Sequence, residues 1–280
     1  MEIPEQHPQS VKANAFKALH QRPGIFVMPN AWEAGSAKIL TSLGFEAIAS
    51  TSAGLAYSMG KTDGESKITR EDTIYNASAI VNATRLPVSA DLENGYNDDP
   101  ESCAHTILLA ARAGLVGGSI EDATGNPEDP ILPFALSVER IKIAVKAARS
   151  LSFPFILTAR AENLIYGRPD LNDTIRRLQA FADAGADVVF APGLRTREEV
   201  QMVVKAVAPC PVNVVIGSGQ EGFTVKILED LGVKRISLGS SLVRAAYTGL
   251  MKASEEIKLK GSFSFTDSTI SYSVFNDLFK

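Results

Sequence analysis

Residues 89–96 read SADLENGY, which sets two acids, Asp91 and Glu93, two positions apart at the end of an apolar run. Residues two apart on a strand share a face. The spacing therefore predicts two like charges projecting together, which repel unless something positive lies between them. Similar groups close other apolar stretches: Asn30 in 25–31, Thr51 and Ser52 in 47–52, Glu121 and Asp122 in 117–122, Arg160 and Glu162 in 155–163. Hard divalent cations take oxygen ligands, and Mg2+ usually holds one or two carboxylates while keeping several waters. Asp91, Glu93 and Glu121 are the expected metal ligands, for Mg2+ first and Mn2+ as the alternative. Arg160 ends an apolar stretch, where a charged group needs partners. Its planar fork suits a carboxylate or phosphate, so it is read as an ion pair with Glu121 or Glu162, as a ligand contact, or as both.

Such groups act together only if a scaffold gathers the strand ends. One phrase recurs: SLGFEAIAS (42–50), RAGLVGGSIED (112–122), DAGADVVFAPG (183–193) and DLGVKRISLGS (230–240) each run from a helix end through Gly into an apolar strand. Gly is the usual left-handed cap of a helix, and almost wholly apolar strands suit a parallel sheet covered on both faces. Eight strands are expected, at 25–31, 47–52, 87–94, 117–122, 155–163, 187–193, 212–219 and 235–241. That is about 35 residues per unit in a chain of 280, close to the size of a (β/α)8 barrel. A doubly wound open sheet is the competing arrangement, but MPNAWEAGSA after the first strand lacks a G-x-G-x-x-G fingerprint. The expected fold is an α/β (β/α)8 TIM barrel with an extra N-terminal helix and a C-terminal helical extension. It is read as one domain over 1–280, with the barrel at about 24–250 and the extension at 251–280. A barrel places its site at the C-terminal ends of its strands, where these polar residues fall.

Two long connections, 53–68 carrying Asp63 and 123–135, exceed the usual short loop and read as lids over the barrel mouth. Glycine-rich IGSGQEG (216–222) and LGSS (238–241) follow the last two strands, where barrels often bind an anion. A net charge of −4 without a dense Lys/Arg run argues against nucleic acid and anionic membrane surfaces. No run approaches the ~18 apolar residues of a membrane span, and MEIPEQHPQS does not read as a signal peptide. Cys103 and Cys210 lie far apart, without disulfide or zinc spacing, which fits a reducing compartment and a cytoplasmic location. His7, His20 and His105 form no cluster, which argues against a His-based triad or a zinc site.

Taken together and in order, GFEAIASTSAGLAYSMGKTDG, PVSADLENGYND, GGSIED and ILTARAEN resemble the isocitrate lyase/phosphoenolpyruvate mutase superfamily. AWEAGSAKIL and DLENGY look most like its phosphonomutase-like branch, and the resemblance runs from about residue 24 to 250. It implies Mg2+ chemistry on small 2-oxo or 2-hydroxy acids through an enolate. Carried over by motif, Asp91 is the main metal contact, Glu93 and Glu121 hold the metal through waters, and Asp63 completes the acidic ring. Thr51, Ser52 and Ala53 hold the substrate carboxylate through hydroxyl and backbone N–H groups. Arg160 binds substrate oxygens and offsets charge on the enolate, so that Arg160 and Asp63 are the catalytic pair. The family's last helix commonly swaps between subunits, which implies a homo-oligomer, a dimer or a tetramer.

The departures from the family bear on the reaction. Its lyases carry a Lys-(Lys/Arg)-Cys-Gly-His loop after strand four, whereas this chain reads ATGNPEDPIL, without Cys, Lys or His. Its mutases and phosphonopyruvate hydrolases carry Lys-Thr-Asn there, of which only Asn126 remains as a substrate contact. The chemistry left is Mg2+-dependent C–C cleavage or decarboxylation of a small 2-oxo dicarboxylate such as oxaloacetate. P–C bond chemistry on phosphonopyruvate or phosphoenolpyruvate is the first alternative, and a non-catalytic barrel that binds a 2-oxo acid or metal is the second. The aromatics of the tail, Phe263, Phe265, Tyr272, Phe275 and Phe279, need cover, and the family's swapped helix points to a partner subunit as its source.

Overall fold

The four recurring phrases fold as helix, cap and strand. Gly44, Gly114, Gly185 and Gly232 end their helices with φ between +83 and +98°, a conformation that a side chain resists and glycine adopts freely. The computed structural model describes residues 9–217, 220 and 222–280. His7 and residues 218, 219 and 221 of the glycine-rich stretch lie outside the described residues.

The elements run α1 (Gln9–Gln21), β1 (Phe26–Met28), α2 (Ala34–Ser42), β2 (Ile48–Ala49), α3 (Ser52–Ser58), α4 (Arg70–Asn82), β3 (Val88–Asp91), α5 (Pro100–Arg112), β4 (Gly117–Glu121) and α6 (Phe134–Arg149). They continue with β5 (Ile156–Arg160), α7 (Leu171–Asp183), β6 (Val188–Phe190), α8 (Arg197–Val207), β7 (Val212–Val215), α9 (Val225–Asp230), β8 (Arg235–Ser237), α10 (Ser241–Lys260), a 3₁₀ turn (Ser264–Ser268) and α11 (Tyr272–Phe279). The strands pair in the order β1-β8-β7-β6-β5-β4-β3-β2, and every pairing is parallel. A parallel bridge between Asn30 and Ala49 joins β1 to β2 and closes the ring. The fold is a (β/α)8 TIM barrel.

Helix α1 covers the N-terminal end of the barrel by burying Ala13, Phe16 and Leu19 against Phe26, Ala47, Val116 and Ile156. Its close approach explains a glycine: a Cβ on Gly117 would lie 2.8 Å from the Phe16 ring and 2.9 Å from the Ile156 carbonyl. Beside it His20 donates from Nδ1 to the Phe16 carbonyl at 2.8 Å. Its Nε2 accepts from Arg235 at 3.2 Å, because arginine can only donate.

The observed strands stop short of the expected segments, because the chain turns as soon as the barrel rim is reached. The long 53–68 connection is also partly helical: Ser52–Ser58 form α3, capped by Thr51, whose hydroxyl accepts from Gly54 N. At the other end of the chain α10 buries only Val243. Leu250, Met251, Leu259, Phe263 and Tyr272 are left largely exposed on α10 and the tail. Helix α11 reaches back to α2, with Lys38 donating to the Phe279 carbonyl.

Candidate active site

Parallel register sets the centre of the site. Arg160, the last residue of β5, lies opposite Glu121 of β4 and Phe190 of β6. Its guanidinium is 14% exposed and bonds three carboxylates at once: Asp91 at 2.8 Å, Glu121 at 3.1 Å and Glu162 at 2.9 Å. It also lies 5.3 Å from the centre of the Phe190 ring. The sequence offered an ion pair or a ligand contact for Arg160, and the structure shows the ion pairs.

Asp91 ends β3. Its Oδ1 accepts from Arg160, from the Glu93 amide at 3.3 Å and from the Ser119 hydroxyl at 3.4 Å, and its Oδ2 accepts from the Ser52 amide at 3.3 Å. Glu93 departs from the expectation of a shared strand face. The strand is over at Asp91, and Glu93 sits at φ +46°, so a turn rather than the pleat brings it near Asp91. Asp63, on the exposed loop between α3 and α4, lies near the Ser52 hydroxyl and the Gly64 amide, both of which favour its charged form. Asp63, Asp91, Glu93, Glu121, Glu162 and Arg160 thus share one mouth of the barrel, with Ser52 between Asp63 and Asp91.

The electrostatics follow from five carboxyls around one guanidinium. Burial alone would raise Asp91, but Arg160 and the donors from Ser52 and Glu93 outweigh it and hold Asp91 below its ordinary value. Burial, then the charges of Asp91 and Asp63, push Glu93 up to about 8. Burial raises Glu162 to about 7 against the pull of Arg160, and it drives Glu121 well above the carboxylate range. Partial burial and the charge of Asp91 raise Asp63 as well. Of the five carboxyls only Asp91 is held toward its charged form, and burial and mutual repulsion push the other four toward the neutral one.

Other polar groups at the strand ends make contacts of their own. Asp122 turns away from the mouth and meets Arg177 of α7 at 2.9 Å, while accepting from the Glu162 amide at 2.8 Å; it holds up the rim. Thr51 is buried and spends its hydroxyl on capping α3, and Ala53 is buried in the first turn of that helix. Asn126 is exposed in an Asx turn, accepting from Glu128 N at 3.1 Å. The Leu238 and Gly239 amides, expected near an anion, donate to Asn30 Oδ1 at 2.8 and 2.9 Å.

Two residues escaped the reading of site residues. Glu162, 1% exposed, stands two positions after Arg160, the spacing that drew attention to Asp91 and Glu93. Tyr166 follows β5 in a loop, and its hydroxyl faces Gly64. Burial and the charges of Glu121 and Glu162 raise its phenol, and no local spacing marks it. Among the described residues no three His, Cys, Asp or Glu side chains are already gathered to hold a metal, because Arg160 lies between Asp91, Glu121 and Glu162. No helix among them is long and apolar enough to cross a membrane.

Comparison with known proteins agrees with the fold. The profile of the phosphoenolpyruvate phosphomutase family matches residues 16–258. A Burkholderia cenocepacia structure, described only provisionally as a lyase/mutase, is 50% identical, with TM-score 0.94 over 97% of this chain and 96% of that one. The structure of an oxaloacetate acetylhydrolase with its product oxalate is 26% identical, with TM-score 0.88 over 97% of this chain and 94% of that one. An oxaloacetate decarboxylase of Chromohalobacter salexigens is 27% identical over 90% of this chain and 85% of its own length. With the barrel and these matches in agreement, the chain belongs to the phosphoenolpyruvate phosphomutase family of the isocitrate lyase/PEP mutase superfamily, a group of lyases and mutases.

Proposed function

We propose that the protein is a Mg2+-dependent lyase that decarboxylates or cleaves a C–C bond of a small 2-oxo dicarboxylate such as oxaloacetate, with Mn2+ able to replace Mg2+. The observation that carries this reading is the Arg160 fork set among five carboxyls at the barrel mouth. The donor set fits a hard divalent cation. It is all oxygen, it crowds five carboxyls whose mutual repulsion a cation would relieve, and Mg2+ asks for only one or two carboxylates beside its waters. Asp91 would be the direct ligand, with Glu93 and Glu121 reached through water. A cation bound there supplies a Lewis acid for the carbonyl of the oxo acid.

The chain's own groups do the rest. Arg160 presents fixed donors to oxygens on which negative charge grows as the bond breaks. Ser52, with Thr51 and Ala53 beside it, offers the donors for the substrate carboxylate, while Asp63 orients Ser52 from the opposite side. In decarboxylation the electron pair of the breaking C–C bond passes into the enolate, CO2 leaves, and a proton then returns to carbon. Asn126 is assigned to the substrate through the 123–135 loop, whose Gly125 packs on Ser66 of the facing loop. The activities named for the oxaloacetate decarboxylase and acetylhydrolase relatives support the substrate class. The exposed apolar surface of α10 and α11 supports a homo-oligomer, a dimer or a tetramer.

The test is turnover of a panel of 2-oxo and 2-hydroxy dicarboxylates by purified protein, with Mg2+, with Mn2+ and with a chelator. Metal-dependent release of pyruvate from oxaloacetate is the expected result, and no turnover of any member overturns the reading. The family match favours one other reading, P–C bond chemistry. Phosphate release or interconversion of phosphonopyruvate in a ³¹P NMR assay would establish it instead.

A further inference from the structure

The turn that follows β3 is held in an uncommon shape. Three of its four residues, Glu93, Gly95 and Tyr96, have φ of +46, +76 and +68°. For residues other than glycine this conformation is strained and persists only where the surroundings over-determine it. What over-determines it here is a pair of arginines that face no carboxylate within 4 Å among the described residues. Arg140, in the middle of α6 and 1% exposed, donates Nη1 to the Asn97 carbonyl and Nη2 to the Asn94 carbonyl. Its Nε is a buried donor left without a partner. Arg70, the first residue of α4, donates to the Gly95 carbonyl at 3.1 Å, to Thr106 Oγ1 at 2.8 Å and to Ser102 Oγ at 2.5 Å. The Gly95 carbonyl also accepts from Ser102 and Thr106, at 2.8 and 3.1 Å.

A buried guanidinium is expensive unless it is paired. Arg140 is buried, with one donor unpaired, and Arg70 is half-buried; both are spent on carbonyls in and just after one short turn, which marks that turn as the thing being held. We propose that Arg70 and Arg140 are positioning residues: by gripping the carbonyls of Asn94, Gly95 and Asn97 they keep the turn after β3 left-handed and so hold Glu93 beside Asp91. The arginines arrive from helices that follow the two long loops, α4 after 59–69 and α6 after 123–133. The acid of the turn is thereby set against both sides of the mouth. The role rests on the metal reading above, since Glu93 matters through the cation it helps to hold.

The test reads metal affinity rather than turnover. Mn2+ binding to the full chain is followed by the EPR signal of free Mn2+, with melting temperature measured alongside. Arg140→Lys, Arg70→Met and Glu93→Gln are compared, together with the doubles Arg140→Lys/Glu93→Gln and Arg70→Met/Glu93→Gln. Partners that orient a metal ligand are worth roughly 10–100-fold in affinity. Each arginine variant is therefore expected to bind Mn2+ about tenfold more weakly than the wild type. Each double is expected to bind no more weakly than Glu93→Gln alone, because the arginine then has nothing left to position. Folded arginine variants with wild-type affinity overturn the proposal, and so do doubles whose losses add. If Arg140→Lys does not fold, Arg70→Met at its less buried site decides the matter. Wild-type protein that binds no Mn2+ overturns the metal reading itself, and the role of the arginines with it.

Discussion

Replacing Arg160 by Met separates the electrostatic account of the site from a packing account. Methionine fills much of the same space but leaves Asp91, Glu121 and Glu162 without the cation they share at 2.8, 3.1 and 2.9 Å. Removing one partner of a buried ion pair costs about 3–5 kcal/mol. With a side chain only 14% exposed, solvent screening does little to reduce that figure. At about 2–4 °C per kcal/mol the melting temperature of the chelator-treated variant should fall by roughly 6–20 °C near pH 8. The sign of the pH dependence follows from Asp91, which Arg160 holds below its ordinary value. In the variant only the Ser52 and Glu93 donors oppose its burial, which is the largest of the influences on it, so its folded pKa is expected to rise above the unfolded one. Stability is then fully present below the unfolded pKa and is lost as pH rises through the folded one. The deficit should therefore be large at pH 8 and shrink to a fraction of that by pH 5, where the carboxyls enter the fold protonated. Arg160→Lys keeps the charge but cannot make three bonds, so it should lie between wild type and Met in stability. It should still lose about 10–100-fold in kcat/KM, since each tenfold is about 1.4 kcal/mol of lost contact. Calorimetry of the three proteins at pH 5, 6.5 and 8 with chelator is the assay. An Arg160→Met deficit that is the same at every pH would refute the electrostatic account.

Three further outcomes are expected. Glu93→Asp should bind Mn2+ within about tenfold of wild type, since Asp tolerates a left-handed turn and an outer-sphere ligand survives a shorter arm. Asp91→Glu should lose far more affinity, because its carboxylate is fixed by Arg160, Ser52, Ser119 and the Glu93 amide; equal losses in calorimetric titration overturn that division. Burial and the Arg235 charge push His20 down to about 3 from 6.5, so its contribution is present above pH 6.5 and is lost as pH falls toward 3. At pH 5 the loss is about 2 kcal/mol. Urea unfolding at pH 7.5 and 5 should show His20→Gln spared most of that loss, and parallel losses in both proteins count against it. Tyr272→Asp combined with Phe275→Asp should lower the assembly mass in light scattering, since both rings are exposed on α11; a wild type already monomeric removes the oligomer reading.

Much of the architecture was legible from the chain because it depends on local pattern. Gly44, Gly114, Gly185 and Gly232 mark helix ends by a conformation that only glycine adopts cheaply, and the apolar runs after them mark buried parallel strands. Eight such units put Asn30, Ser52, Asp91, Glu121 and Arg160 at one end of a barrel, and the order of the motifs pointed to the superfamily. The sequence by itself therefore determined the fold, the rim and most of the acids on it, since these follow from residue type and position along the chain.

Only the tertiary structure decided what each group faces, because that depends on where a strand stops and on what its neighbours present. Asp122 follows Glu121 directly, yet it meets Arg177 from α7 and leaves the mouth. The amides after β8 looked like an anion cradle, but the Asn30 side chain from β1 takes them. Arg160 meets Asp91 and Glu121 from two other strand ends through the parallel register, which no spacing within one strand encodes. Asp91 and Glu93 looked like a pair on one strand face. In the fold they are the last residue of a strand and the first left-handed residue of a turn held by arginines from two distant helices.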